Sequence, residues 1–120
     1  MEVKSKRSGE REEAFRKVFG LGFLETFSDE DIIGESEGFI KEILEKLLEN
    51  FEKIDEIINN NLHKWKFERI NKVDLAIIRV SICEILFLDT PKIVAISEAL
   101  KLAKDYNGSE TFINGILAKV

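Results

Sequence analysis

Two sets of side chains in this sequence have the types and spacing to do chemistry. The first lies in the apolar run from Lys72 to Leu88, which is interrupted by Asp74, Arg79, Ser81 and Glu84. Acids and bases taken out of water need partners, because a buried unpaired charge is strongly destabilising. Arg79 shares the run with both acids and is the natural candidate partner. Arg79 and Glu84 are therefore expected to form a structural ion pair rather than a binding site, although sequence does not fix which acid takes which base. The second set is the basic start. Lys4, Lys6, Arg7, Arg11, Arg16 and Lys17 outnumber the glutamates of residues 1–20, giving that segment +2 and leaving −7 on the rest. Arg7, Arg11, Ala14, Val18 and Leu21 alternate steps of four and three, the spacing of one buried seam. If helicity reaches back to Arg7, both arginines lie on the core-facing side and overhang the end of the bundle. The competing reading is a frayed, solvated basic terminus.

Other chemistry is scarce. His63 is the only histidine and Cys83 the only cysteine. One histidine leaves little scope for a Ser–His or Cys–His pair, and it has no metal-ligand partners at a suitable spacing. Cys83 sits inside the apolar run, where a reduced buried thiol is expected. There is no Gly-rich phosphate loop and no nucleophile elbow. The expectation is a protein that is not an enzyme and holds no cofactor, metal or small-molecule substrate.

The elements that must position these residues read as helices throughout. The run over Lys72–Leu88 is apolar on nearly every side, so it must pass through the middle of other helices. It is expected to start near Asn71–Val73 and to stop before Asp89-Thr90-Pro91, since proline cannot continue the hydrogen-bond ladder. Upstream, a helix is expected from about Ser8, as its cap, to Phe27. Phe15, Phe19, Phe23 and Phe27 recur every fourth residue, a step that overshoots one turn by about 40°. The early members should be core, with Phe19 at the stripe's edge and a later member partly exposed.

Ser28 to Glu37 reads as a connection with at most a short helix around Asp31–Ile33. Phe39 to Leu62 keeps helical spacing, as one helix or two joined near Asn50. Ile93 to Ala103 makes another helix, closed by Tyr106-Asn107-Gly108 with a left-handed residue. Ser109 caps a last one through Leu117. The fold class is all-α, a compact bundle of about five to seven helices in two small sub-bundles around the central apolar helix.

Composition agrees. With 120 residues, 44% hydrophobic and 34% charged, the chain reads as one domain, residues 1–120. A net charge of −5 argues against coating nucleic acid through bulk charge. No uncharged apolar run is long enough for a membrane span, and no hydrophobic signal region opens the chain, so a cytoplasmic protein is expected.

Three blocks in order carry a family resemblance. Ile54-Asp55-Glu56-Ile57-Ile58, Leu62, Trp65, Arg69, Val73-Asp74, Ile78-Arg79 and Glu84 resemble the middle of the bacterial antitermination factor NusB family. The tail follows suit with Pro91-Lys92-Ile93-Val94-Ala95-Ile96-Ser97-Glu98-Ala99, Leu102-Ala103-Lys104 and Phe112-Ile113-Asn114-Gly115-Ile116-Leu117. Arg11-Glu12-Glu13-Ala14 and Phe19 resemble the family's first helix. The match covers about residues 7 to 118.

The resemblance implies binding to boxA-type single-stranded RNA in nascent ribosomal RNA transcripts, with the ribosomal protein NusE, as part of an RNA polymerase antitermination complex. It carries RNA contact onto Arg7 and Arg11, and by position onto Phe19 and Tyr106, with Lys6 adding charge from the flexible end. For Phe19 the rival role is core packing. Asp74 falls where the family meets NusE, and an accessible acid there would suit a basic partner.

Ser8 and Gly9 stand where the family often has arginine, Glu10 adds negative charge, and the loop Asn107–Thr111 is short. Two alternatives follow. One is a protein-only adaptor that keeps the NusE face with weak RNA binding. The other is the RNA-binding N-terminal domain of a ribosomal RNA cytosine methyltransferase, disfavoured because no cofactor loop follows the last helix.

Overall fold

The computed structural model describes residues 5–24, 26–64 and 66–120. Lys4 and Trp65, both singled out in the sequence, lie outside them. The elements are α1 (Lys6–Leu21), α2 (Asp29–Ile33), α3 (Gly38–Glu49), α4 (Phe51–Asn60), α5 (Lys72–Phe87), α6 (Lys92–Asp105) and α7 (Glu110–Leu117). One 3-10 turn, Phe67–Arg69, precedes α5, and no strand occurs among the described residues.

Helix α5 is central because its middle has no wet side. Every residue from Ala76 to Glu84 is buried. It packs against α1, α3 and α4, and also against α6 and α7. Helices α1, α2 and α3 pack on one another, and α6 packs on α7, so α5 is shared between two small bundles. Phe15, Ile43, Leu44, Leu47, Ile54, Ile58, Ile77, Ile82, Ile113 and Leu117 fill the interior. Cys83 is free and buried there, its thiol reaching the Ile43 carbonyl at 3.6 Å. Burial, aggravated by nearby Glu84, pushes that thiol up to about 12.

Local chemistry sets the helix ends. Asn71 Oδ1 accepts from the Val73 amide at 2.8 Å and starts α5. Ser109 Oγ accepts from Phe112 at 3.2 Å and starts α7. Asn50 divides α3 from α4, its side-chain amide donating to the Lys46 carbonyl at 2.9 Å. Asn107 takes the left-handed conformation after α6, at φ 59°.

The first helix departs from expectation at both ends. Its cap is Ser5, whose Oγ accepts from the Ser8 amide at 3.1 Å. Ser8 is already helical and gives its own hydroxyl to Glu98 at 2.8 Å. At the far end α1 stops at Leu21, closed by a bond from the Gly22 amide to the Phe19 carbonyl. The phenylalanine stripe continues past that stop, so Phe23 lands in solvent, 63% exposed, while Phe15 is core and Phe19 half-buried.

Candidate nucleic-acid interface

Helix α1 carries the basic residues, and the seam spacing places them unequally. Arg11 is turned inward and only 5% exposed. Its Nε donates to both oxygens of Glu84, at 2.8 and 2.9 Å. Glu84, 1% exposed, also accepts from Thr90 Oγ1 at 3.0 Å. Burial raises the Glu84 carboxyl above its usual range, and the Arg11 guanidinium opposes that. Glu98 of α6 adds a third member, 3.7 Å from Arg11 and bonded to Ser8. Arg11 is therefore a tie between α1, α5 and α6, with no guanidinium face open to a phosphate.

The expected pairing of Arg79 with Glu84 is not formed. Five positions along a helix separate side chains by about 140°, so the two leave α5 on different sides. Arg79 instead grips Asp55 of α4 with two bonds of 2.8 Å and stacks 4.6 Å over the Phe51 ring. Each of the two residues is in an ion pair, but with a partner from another helix.

Asp74 also differs from expectation. It is 5% exposed, not an accessible acid. Its Oδ1 accepts from the Ser109 amide at 2.9 Å, holding the α6–α7 turn to the start of α5. A Cβ at Gly108 would come within 2.7 Å of that oxygen, so any larger residue there would push the Asp74 carboxylate out of its place. Burial raises the Asp74 carboxyl, and the Ser109 bond offsets part of this.

Two cations at the start of α1, past the end of the core, stay exposed. Lys6 and Arg7 face solvent, and Arg7 lies 4.4 Å over the ring of Phe39. Glu10, which looked like a charge opposing nucleic acid, turns to cap α3. Its Oε2 accepts from the Phe39 amide at 2.9 Å, where Glu37 supplies no side-chain cap. Further along, Tyr106 is half-buried, its ring 4.7 Å from Phe15. Its hydroxyl donates to Glu12 at 2.6 Å and accepts from Arg16 Nε at 2.7 Å. Burial and the Glu12 bond raise the phenol, keeping it protonated for that donation. Phe19 continues the aromatic line, 6.1 Å from Phe15 and 5.2 Å from Phe23.

The geometry thus gathers Arg16, Tyr106, Phe19 and Phe23 into one cationic and aromatic strip, closed by Lys72 at 4.2 Å over Phe23. Arg16 was counted in the basic start but not assigned to RNA contact, and Lys72 was not assigned a role. The Glu12–Arg16 spacing of four was the available signal for the first; nothing local marked the second.

A model of the NusB family matches residues 2–120. The chain belongs to the NusB family. A transcription antitermination protein NusB from Finegoldia magna is 49% identical over 85 residues, covering 68% of this chain and 62% of the relative. The one from Listeria innocua is 36% identical over 122 residues, covering 96% and 95%. Among solved structures, T. maritima NusB superimposes with a TM-score of 0.83 at 29% identity, covering 98% of this chain and 91% of its own. A chain in the crystal structure of a plectonemic RNA supercoil shares the fold, with a TM-score of 0.78 at 22% identity. The all-α architecture expected from sequence is thus the NusB fold. No helix among the described residues is long and apolar enough to cross a membrane.

Proposed function

We propose that this chain is a transcription antitermination factor that binds boxA-type single-stranded RNA together with the ribosomal protein NusE, without catalytic turnover. Family membership supplies the frame. The observation that carries the RNA reading is the set of exposed cations on α1, Lys6, Arg7 and Arg16, two of which lie over rings on opposite sides of the helix, Arg7 over Phe39 and Arg16 over Tyr106. Cations set a salt-dependent baseline affinity for phosphates. Aromatic faces stack single-stranded bases at about 1–3 kcal/mol per base. Lys6 and Arg7 serve as phosphate contacts, Phe19 and Tyr106 as the edge of a stacking surface. Arg11 supports the site from inside by fixing α1 to α5 and α6.

The Arg7–Phe39 stack is suited to this work because it holds the guanidinium in place before RNA arrives. Asp74 acts on the partner side only indirectly, through the turn it anchors.

A second reading, an adaptor that engages NusE with weak RNA binding, is favoured by one observation. Arg11 is spent internally, and Glu12 and Glu98 bring negative charge to the same face. The two readings separate in one titration. A boxA-like RNA and a scrambled control are titrated with the protein, with and without NusE, over a salt series. The RNA-binding reading expects preference for boxA, strongest with NusE, and an affinity that falls with salt. No preference even with NusE present would leave the adaptor.

A further inference from the structure

We propose that a pocket between the end of α4 and helix α7 is a docking site for an acidic peptide segment that inserts one apolar side chain. The pocket holds about 250 Å³, and none of its lining residues lies on α1 or α6. Leu62, Phe112 and Ile116 form its apolar lining, and His63, Lys64 and Lys119 stand at its rim. Lys119 Nζ is in hydrogen-bonding contact with His63 Nε2, which holds the two side by side. All three rim groups are exposed.

Among the described residues that line the pocket there is no acid, although the chain as a whole carries −5. In so acidic a protein, a cationic rim around an apolar hollow complements carboxylates flanking a hydrophobic anchor. The volume accepts one large side chain. Access comes from Gly115, which lines the pocket on α7 and whose missing Cβ would meet nothing within 4 Å. The floor argues for a peptide over RNA. Leu62 and Ile116 are aliphatic, and Phe112 is half-buried against the core instead of standing free to stack. The Asn61 amide is already given to the Ile57 carbonyl at 2.8 Å.

The test uses the full chain and a fluorescein-labelled octapeptide, Glu-Asp-Glu-Phe-Leu-Glu-Asp-Glu, read by fluorescence anisotropy. Controls are the same peptide with Ala-Ala at its centre and a labelled single-stranded RNA octamer. Saturable binding is expected for the first peptide only, weakened about tenfold or more by Lys119→Glu, which reverses a rim charge. Gly115→Leu fills the pocket from its own wall while raising helix propensity in α7. It is expected to abolish peptide binding with helical circular dichroism kept or increased. The proposal is overturned by an absence of saturable peptide binding to the unaltered chain. Peptide binding that survives Gly115→Leu overturns it as well, as does an RNA octamer that binds in a Gly115→Leu-sensitive way while the peptide does not. Titration of boxA-like RNA with the Gly115→Leu chain stays independent, so failure of the pocket leaves the α1 reading intact.

Discussion

Arg7 and Arg11 stand one helical turn apart on α1, yet the bundle treats them in opposite ways. Arg11 is folded into the junction of α1, α5 and α6, with a carboxylate across from it and another at its flank. Arg7 is exposed and lies on an aromatic ring. The difference arises at the end of the core. Glu84 lies at the level of Arg11 and is itself buried, so the guanidinium has a charge to meet there. One turn earlier Arg7 rests on the Phe39 ring, which Arg11 also approaches at 5.3 Å, and there the cation keeps contact with water. A basic cluster in sequence is thus split by packing into a structural residue and an available one.

The largest expected effect breaks the buried half of this contrast. Arg11→Ala leaves Glu84 buried without its cation, which costs about 3–5 kcal/mol. Chemical denaturation should show it. Replacing both members, as Arg11→Met with Glu84→Leu, removes the stranded charge and is expected to recover most of that loss. A double variant no more stable than Arg11→Ala would mean that Glu84 is not what makes the single substitution costly.

The second test asks whether the other arginine of the core, Arg79, behaves like Arg11 or Arg7. Its pair with Asp55 is more accessible, with side-chain exposures of 11% and 24% against 6% and 2% for Arg11 and Glu84. Arg79→Ala should therefore cost less, about 2 kcal/mol. The same change made with Asp55→Ala should be less than additive, as a double-mutant cycle would reveal.

These pairs mark how far the sequence could be read. Helix α5 was legible because an all-round apolar run has only one place to go. The stop before Pro91 and the Ser109 cap were legible because each is a local rule, whereas the break at Asn50 stood only as one of two readings because helical spacing runs through it. Ser5 was obscured by Ser8, a second good cap three residues later. The end of α1 was obscured by phenylalanines that keep their spacing past Gly22. The ion pairs were hidden for another reason. Arg11 and Glu84 are 73 positions apart, Asp55 and Arg79 are 24 apart, and no periodicity connects them. Pairing Arg79 with Glu84 on one helix could have been rejected from helix geometry alone. Asp74 was misplaced for a subtler cause. Its spacing marks a position near the start of α5, but its burial depends on the returning α6–α7 turn.

That turn gives the third test. Asp74→Ala removes the acceptor for the Ser109 amide and should cost about 1–3 kcal/mol. Asp74→Asn keeps an acceptor oxygen in place and separates the bond from the charge. The folded-state carboxyl is raised by burial, so between the usual carboxylate range and the raised value the folded state binds more protons than the unfolded one. Stability from this group is thus greatest at low pH and declines as pH rises through that window. Unfolding curves from pH 3 upward should show the wild type losing ground to Asp74→Asn across it, then holding a constant gap. A gap independent of pH would mean Asp74 titrates normally.

The smallest stability effect belongs to Arg7, and it is the sharpest test of the opening contrast. Removing an exposed cation over a ring costs about 0.5–1 kcal/mol, so Arg7→Ala should leave the melting curve nearly in place. Its effect on RNA should be out of proportion to that. One lost phosphate contact lowers the slope of log affinity against log salt by about 0.7 on a single strand. Arg11 holds no free face, so a conservative Arg11→Lys chain that still folds should keep the parent slope. The two slopes, measured on one boxA-like RNA, assign the roles. If Arg7→Ala leaves the slope unchanged while Arg11→Lys lowers it, the exposed arginine is the idle one and α1 must open at its buried junction to meet RNA.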